Sequence, residues 1–290
     1  MTQIEQTIVD WTQLPGAQTE NSMHLGTIRP ITRASIVMQA ILLVLSVLTI
    51  YAFLTMDYKN IDVLQGVIDT FHNFKTMFLE PHSGRFSWWY ALYEVVVTLG
   101  LAFLTTLFGG FIALFLGLLA AQNLSNKTVT NIIKGFIAFI RAVPTILWVL
   151  LFAVAAGLGS AAAVIGMTFH SVSYLTKAYS ESFEDLDRSV IEALKASGAN
   201  WWQIVFQAVI PSSITLLLSW TFVRFEINFG NAVAMGAAAG AAGIGFDLYM
   251  ASEFYFDMHE VGLITYLIIA LAILLETVST TLKGKLRKYA

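Results

Sequence analysis

Residues 189–211 read SVIEALKASGANWWQIVFQAVIP, a polar island between two long apolar regions, and the fold is decided there. Ser189 with Glu192 has the form S-x-x-E, and Asn200 with Gln203 has the form N-x-x-Q. Each fits a helix start, where side chains satisfy backbone N–H groups that have no intrahelical acceptor. Gly198 stands between them, where a left-handed residue would end a first helix. Pro211 follows at the start of the next apolar run. The spacing predicts helix, tight turn, helix, held at a membrane surface.

The same island resembles the EAA loop of ABC importer permeases. The matching residues are Glu192-Ala193-Leu194, then Gly198 six positions after Glu192, then Ala199, and Ile210-Pro211 with Pro211 thirteen positions after Gly198. It departs from the family pattern at Leu194 (family Ala), Ala208 (usually Ile) and Ile210 (usually Leu). The resemblance implies a loop that docks into a groove on a separate ATPase subunit. Its coupling residues would be Glu192, Ala193, Gly198, Ala199, Ile210 and Pro211. On the residues alone, an ordinary cytoplasmic hairpin in which Glu192 is only a cap stays open.

Composition sets the class. Of 290 residues, 57% are hydrophobic and 12% charged, about half the charged share of a soluble domain. The chain is therefore an integral membrane protein. No cysteine is present, which excludes disulfides, thiolate metal sites and a thiol nucleophile. Residues 1–33 are polar, with Glu5, Asp10 and Glu20, so they do not read as a cleavable signal. The first span then stays as an anchor. The GxxxxGK[ST], HExxH and GxSxG patterns are missing. The chain is thus read as unable to hydrolyse ATP by that route itself. The resemblance implies a transport subunit and not an enzyme, which binds no cofactor or metal itself and whose ATP and Mg belong to a partner ATPase.

A spanning helix needs about 20 apolar residues. Residues 34–54, 90–120, 161–179, 212–228 and 261–282 qualify, together with an apolar stretch broken at Arg141 to Pro144. The expected fold is all-α, a polytopic membrane protein of about six transmembrane helices; a type I ABC importer permease-like core is what the resemblance adds. Residues 1–33 form a cytoplasmic segment, and 34–88 hold the first span and an extracytoplasmic amphipathic piece. Residues 89–282 form the transport core, and 283–290 a basic tail. Gln122 to Lys134 would be a polar inner loop, and 157–160 a tight outer turn. Lys and Arg decide orientation. Arg29, Arg33, Lys127, Lys134, Arg188, Lys195 and the tail share one side, against Lys59, Lys75 and Arg85 on the other. Both termini and the island are therefore placed in the cytoplasm.

Residues 224–245, RFEINFGNAVAMGAAAGAAGIG, are the second informative stretch. So many glycines and alanines suggest irregular backbone at the outer mouth of a pathway, or plain small-residue helix packing. Arg224 and Glu226 are two apart and cannot pair with each other on a helix. Arg224 lies thirteen residues past Pro211, about 20 Å at the helical rise. An inter-helix salt bridge to Glu226 or Glu94 of a neighbouring helix is one expectation for it, and a wet cavity the other. Arg141 reads as snorkelling, Lys177 and Glu276 as interfacial anchors, and His170 as a hydrogen-bonded packing residue.

R-F-E-x-N followed by a run ending G-x-x-G-I-G-F is similar to phosphonate-import permeases, as are Arg141-Ala142-Val143 and residues 154–159. That resemblance implies a pathway for phosphonate or a related phosphorus oxyanion. Its candidate gate residues are Arg224, Glu226, Asn228, Asn231, Gly240, Gly243 and Gly245. It also implies an ABC ATPase subunit dimer, an extracytoplasmic substrate-binding protein and a second permease copy or paralogue. Membrane lipid surrounds the chain, and nucleic acid is no partner. Permeases for methionine or phosphate remain alternatives. A secondary transporter is the weaker one, since only one glycine-broken segment is visible. The topology is testable by labelling. A cysteine at Ser125, Asn200 or Lys285 should resist impermeant thiol reagents in intact cells, whereas one at Asn60 or Ser83 should react. Outside labelling at Asn200 would overturn the orientation.

Overall fold

The computed structural model describes residues 33–56 and 62–286, and every regular element among them is helical. The 1–33 segment, apart from Arg33, and residues 287–290 of the basic tail lie outside the described residues. The chain divides into two units at Asp62. In the first, α1 (Arg33–Thr55) is an uninterrupted apolar helix with no buried residue, as the 34–54 reading expects.

The second unit begins with α2 (Val63–Leu79), amphipathic as anticipated for the 55–88 region. It packs on α11 (Met258–Leu286), where Gly262 leaves no room for a Cβ beside the Met77 carbonyl. The Tyr266 hydroxyl donates to Phe78 O at 2.7 Å. Beside this contact Glu260 is buried, accepting from Arg85 N at 2.8 Å and from Arg85 Nη1 at 3.2 Å.

Three long helices form the centre: α3 (Trp88–Ala120), α6 (Ser160–Glu184) and α9 (Ile210–Ala239). Small residues bring them close, as lipid-embedded helices require. A Cβ on Gly109 of α3 would stand 2.7 Å from Ser171 Cβ of α6. One on Gly166 of α6 would stand 2.5 Å from Val149 Cα of α5 (Thr145–Ala156).

Among the described residues, four helices are long and apolar enough to cross a membrane: α1, α3, the continuous 201–239 helix and α11. A fifth span arises if α4 (Lys127–Ala142) and α5 are counted together, and these bend by 85° at Arg141 to Pro144. The 122–134 stretch is thus less of a loop than expected, because Lys127 onward is already helix. The remaining candidate, α6, is not apolar enough to qualify. Its Thr168, Ser171, Ser173, Thr176, Ser180 and Ser182 are buried. It can afford these hydroxyls because α3, α4, α5 and α9 surround it. Several also bond carbonyls of the preceding turn, such as Ser182 Oγ to Ala178 O at 2.8 Å.

The 224–245 stretch is also more regular than its glycines suggest. The helix continues to Ala239, because its alanines are the strongest helix formers. It stops at Gly240, whose φ is 59°, and the chain turns again at Gly243, whose φ is 116°. The short α10 (Ile244–Tyr249) follows and packs back on α9. A Cβ on Gly245 would collide with the Val233 carbonyl, whereas one on Gly230 would meet nothing within 4 Å. Gly245→Ala should therefore cost about 1–3 kcal/mol by overpacking. Gly230→Ala should be neutral or stabilising by up to about 1 kcal/mol. Thermal unfolding of the two variants in one detergent checks the difference.

Candidate functional site

The island folds as the hairpin its spacing predicts. The first helix, α7 (Arg188–Ala196), starts two residues earlier than S-x-x-E implies, because Asp187 and not Ser189 is the cap. Its carboxylate accepts from Ser189 N at 2.9 Å. That backbone hydrogen bond, with one from the Ser189 side chain, holds the exposed Asp187 carboxyl below the usual carboxylate range. Aspartate caps as well as serine does, so the competition was local and Asp187 won it. Glu192 then falls in the middle of α7, too far along to cap anything.

The helix ends on Gly198, with φ 86°. Gly198 N donates to Lys195 O and Ala199 N to Leu194 O, both at 3.0 Å. These two bonds are the Schellman closure. Asn200 opens α8 (Trp201–Ile204) with the expected reciprocal capping box, Gln203 N to Asn200 Oδ1 at 2.9 Å and Asn200 N to Gln203 Oε1 at 2.7 Å. The second hairpin helix does not stop at Pro211. A π-helical turn, Val205–Val209, joins α8 to α9. Proline lacks the N–H that would continue the ladder, and a wider turn just before it accommodates the ring.

Apolar side chains root the hairpin in the bundle. Ile191, Leu194, Trp201 and Ile204 pack with Leu118, Ala121, Leu124 and Phe183. Trp201 Nε1 donates to Leu124 O at 3.0 Å. At the end of α6, Glu184 accepts from Gln122 N at 2.8 Å and Lys134 Nζ at 3.0 Å. What remains outside is Glu192, Ala193 and Gly198, all exposed. Glu192 has no hydrogen bond or ion pair among the described residues and edges a cavity of about 220 Å³ with Asn123, Arg188 and Lys195. Of the other coupling candidates, Ala199 and Ile210 are half-buried at the root, and Pro211 is exposed at the start of α9.

A second constellation lies inside the bundle. Arg224 and Asn228, one turn apart on α9, are both buried. Arg224 Nε donates to Ser171 Oγ at 3.1 Å, and its guanidinium lies 5.2 Å from the Tyr174 ring centre. Asn228 Nδ2 donates to Thr106 Oγ1 and to Ser171 Oγ, each at 2.9 Å. The expected salt bridge from Arg224 does not form. Glu94 of α3 instead accepts from Gly243 N at 2.8 Å, and Thr98 accepts from Ile244 N at 2.9 Å. A backbone turn needing acceptors has claimed that carboxylate. Glu226 is half-buried, and neither it nor Asn231 makes a side-chain hydrogen bond among the described residues. Gly240 ends α9 and Gly243 and Gly245 pack closely on Thr98 and Val233, and none of the three touches the Arg224 cluster among the described residues. His170 keeps a buried Nδ1 without a partner, contrary to the hydrogen-bonded reading.

Sequence reading missed Ser171, Thr106 and Tyr174. They look like ordinary polar residues of apolar helices, and only the approach of α6 to α3 and α9 assembles them. Trp201 as an anchor could have been suspected, because an indole N–H at a buried site demands an acceptor.

Comparison with known proteins agrees with this architecture. The chain is 30% identical over 208 residues to the phosphite transport system permease protein PtxC of Stutzerimonas stutzeri, covering 71% of this chain and 72% of that protein. It is 27% identical over 191 residues to the phosphate-import permease protein PhnE of Mycolicibacterium smegmatis, covering 65% of this chain but 35% of that one. Among solved structures, the inward-facing MetNI methionine ABC transporter shares the fold at a TM-score of 0.63 and 21% identity, covering 69% of this chain and 97% of its counterpart. The first two are named as permease proteins, and the apolar helices described above make this chain a multi-pass protein of the cell membrane. Residues 113–287, more than half of the chain and the part that holds the hairpin, Ser171, Arg224 and Asn228, match one family model, and the protein belongs to that family, the binding-protein-dependent transport system inner membrane components.

Proposed function

We propose that this permease forms the pathway of an ATP-driven importer for phosphite, phosphonate or a related phosphorus oxyanion. The observation that carries the ATP-driven part is the α7–α8 hairpin. It is closed by a Schellman turn and a capping box, rooted in the bundle by Trp201, and leaves Glu192 exposed without a partner. An unpaired carboxylate on a rigid surface lever suits a cationic groove on an ATPase dimer. Such a partner supplies ATP and Mg, and this chain contributes none of that chemistry. The hairpin and both termini face the cytoplasm in this reading. A substrate-binding protein docks at the opposite end, where Arg85, Tyr90, Asp247, Tyr255 and Glu260 surround a cavity of about 420 Å³. A second copy or a paralogue completes the pathway.

The substrate class is supported by the similarity to the phosphite and phosphate-import permeases and by a buried cation, Arg224, without a carboxylate partner. Methionine is the second reading, favoured by the likeness to the methionine transporter fold.

Two expectations follow for the lever. Glu192→Lys should weaken co-purification with the ATPase by about tenfold, the effect of losing one good docking contact. Gly198→Asp forces a side chain into left-handed backbone at about 1–2 kcal/mol and should lower substrate-stimulated ATP hydrolysis while the chain still inserts. Unchanged values for both would reduce the island to an ordinary hairpin. For the substrate, the complex reconstituted with its ATPase and binding protein should take up labelled phosphite or methylphosphonate and be indifferent to methionine. Uptake of methionine alone would reverse the assignment.

A further inference from the structure

Arg224 is 2% exposed and lies about 20 Å along the helix from Pro211, at membrane depth. A lone cation in so poor a dielectric is costly, and intramembrane charges are found paired or facing a wet cavity. Here the pair is missing. The ion pairs among the described residues belong to Lys75, Arg85, Lys134 and Lys177. Glu94 is engaged by the Gly243 backbone. Glu226, two residues on, is turned about 200° around the helix.

Of the five N–H donors a guanidinium offers, Nε goes to Ser171. Nη2 is buried with no acceptor at all. The Tyr174 ring supplies a cation–π face, which attracts the charge but fills no hydrogen bond. Ser171 Oγ is the hub that holds the group in place. It accepts from Arg224 Nε and Asn228 Nδ2, while Asn228 Nδ2 also reaches Thr106. A second orphan, His170 Nδ1, sits next to Ser171 on α6. The result is an oriented, positively charged fork with spare donors, inside a chain of neutral hydroxyl and amide groups and with no anion of its own.

We propose that Arg224, Ser171 and Asn228 form an oxyanion-binding subsite of the transport pathway, closed between α6 and α9 in this conformation. The proposal rests on the phosphorus-oxyanion reading above and gives that reading its residues. The ligand class is a small tetrahedral oxyanion, phosphite or an alkylphosphonate, whose paired oxygens match the guanidinium geometry. Lysine presents only a point charge there. The anion supplies the countercharge the protein omits, and access requires α9 to move off α6. Glu226 lies at the edge of the exposed face of α9 and is not part of the subsite.

The test uses the full complex, permease with ATPase and binding protein, in proteoliposomes. Arg224→Gln should raise the phosphite concentration for half-maximal uptake by about tenfold or more, as expected for losing a charge-assisted contact. Arg224→Lys should fall between the two, and Ser171→Ala should shift in the same direction by less. Lys177→Gln, at an exposed position of α6 outside the subsite, should change nothing. A readout independent of transport is the thermal midpoint of the permease–ATPase complex in phosphite against chloride at equal ionic strength. Wild type should rise in phosphite and Arg224→Gln should not. A wild-type half-saturation and anion response in Arg224→Gln would overturn the proposal. So would a destabilised Arg224→Gln that Glu226→Gln restores, because the cation would then be paired with Glu226 of a second copy. If wild type takes up no phosphorus oxyanion, the substrate reading fails by itself. The thermal response to phosphate or sulfate would still decide the subsite.

Discussion

In lipid, a polar group must find its partner inside the protein, and α6 is the helix on which that requirement weighs most. Its buried serines and threonines are tolerable only because α3, α4, α5 and α9 wrap it. The wrapping in turn depends on Gly109 and Gly166, where any side chain would strike the neighbouring helix. Apolar helices lie outside and the hydroxylated one lies inside, which is the reverse of a soluble bundle. Arg224 and Asn228 can be buried at all because α6 offers Ser171 and Tyr174 at the right depth.

The same geometry joins the surface to the interior. From Trp201 to Ala239 the chain is one continuous 39-residue helix, roughly 58 Å long at the helical rise. One end is the second arm of the hairpin, and the polar cluster with Arg224 sits farther along. No hinge interrupts it beyond the π-helical turn at Val205–Val209. A displacement of the hairpin's second arm at Trp201 therefore reaches Arg224 through packed helical backbone, while Glu192 on α7 is joined to that arm by the Gly198 turn. At the opposite end the rod stops at Gly240, and the turn that follows is pinned to α3 by Glu94 and Thr98. Both ends of the 201–239 rod are thus held near α3 or its flanking loop, Trp201 at Leu124 and the turn after Gly240 at Glu94.

The carboxylates divide by what they serve. Asp187 caps a helix, Glu94 holds a turn, Glu184 and Glu260 clamp loops to helix ends. Glu192 and Glu226 serve no partner among the described residues. The proposed function uses one acid without a partner on a rigid hairpin, Glu192, and one base without a carboxylate partner at membrane depth, Arg224.

Local chemistry was legible in the chain. The capping box at Asn200, the left-handed Gly198 and the apolar runs of α1, α3 and α11 are encoded within a few residues of where they act. They were read without knowing any neighbour. Asp187 against Ser189 shows the limit even there, since two good caps stood two residues apart and the geometry chose between them. Tertiary structure decided what depends on distant approach. It hid α6, brought Ser171 to Arg224, and gave Glu94 to a backbone turn instead of to Arg224. Those outcomes turn on contacts 53 to 149 residues apart in sequence. No periodicity or spacing carries that information, because a buried charge is defined by the partners that other helices bring to it.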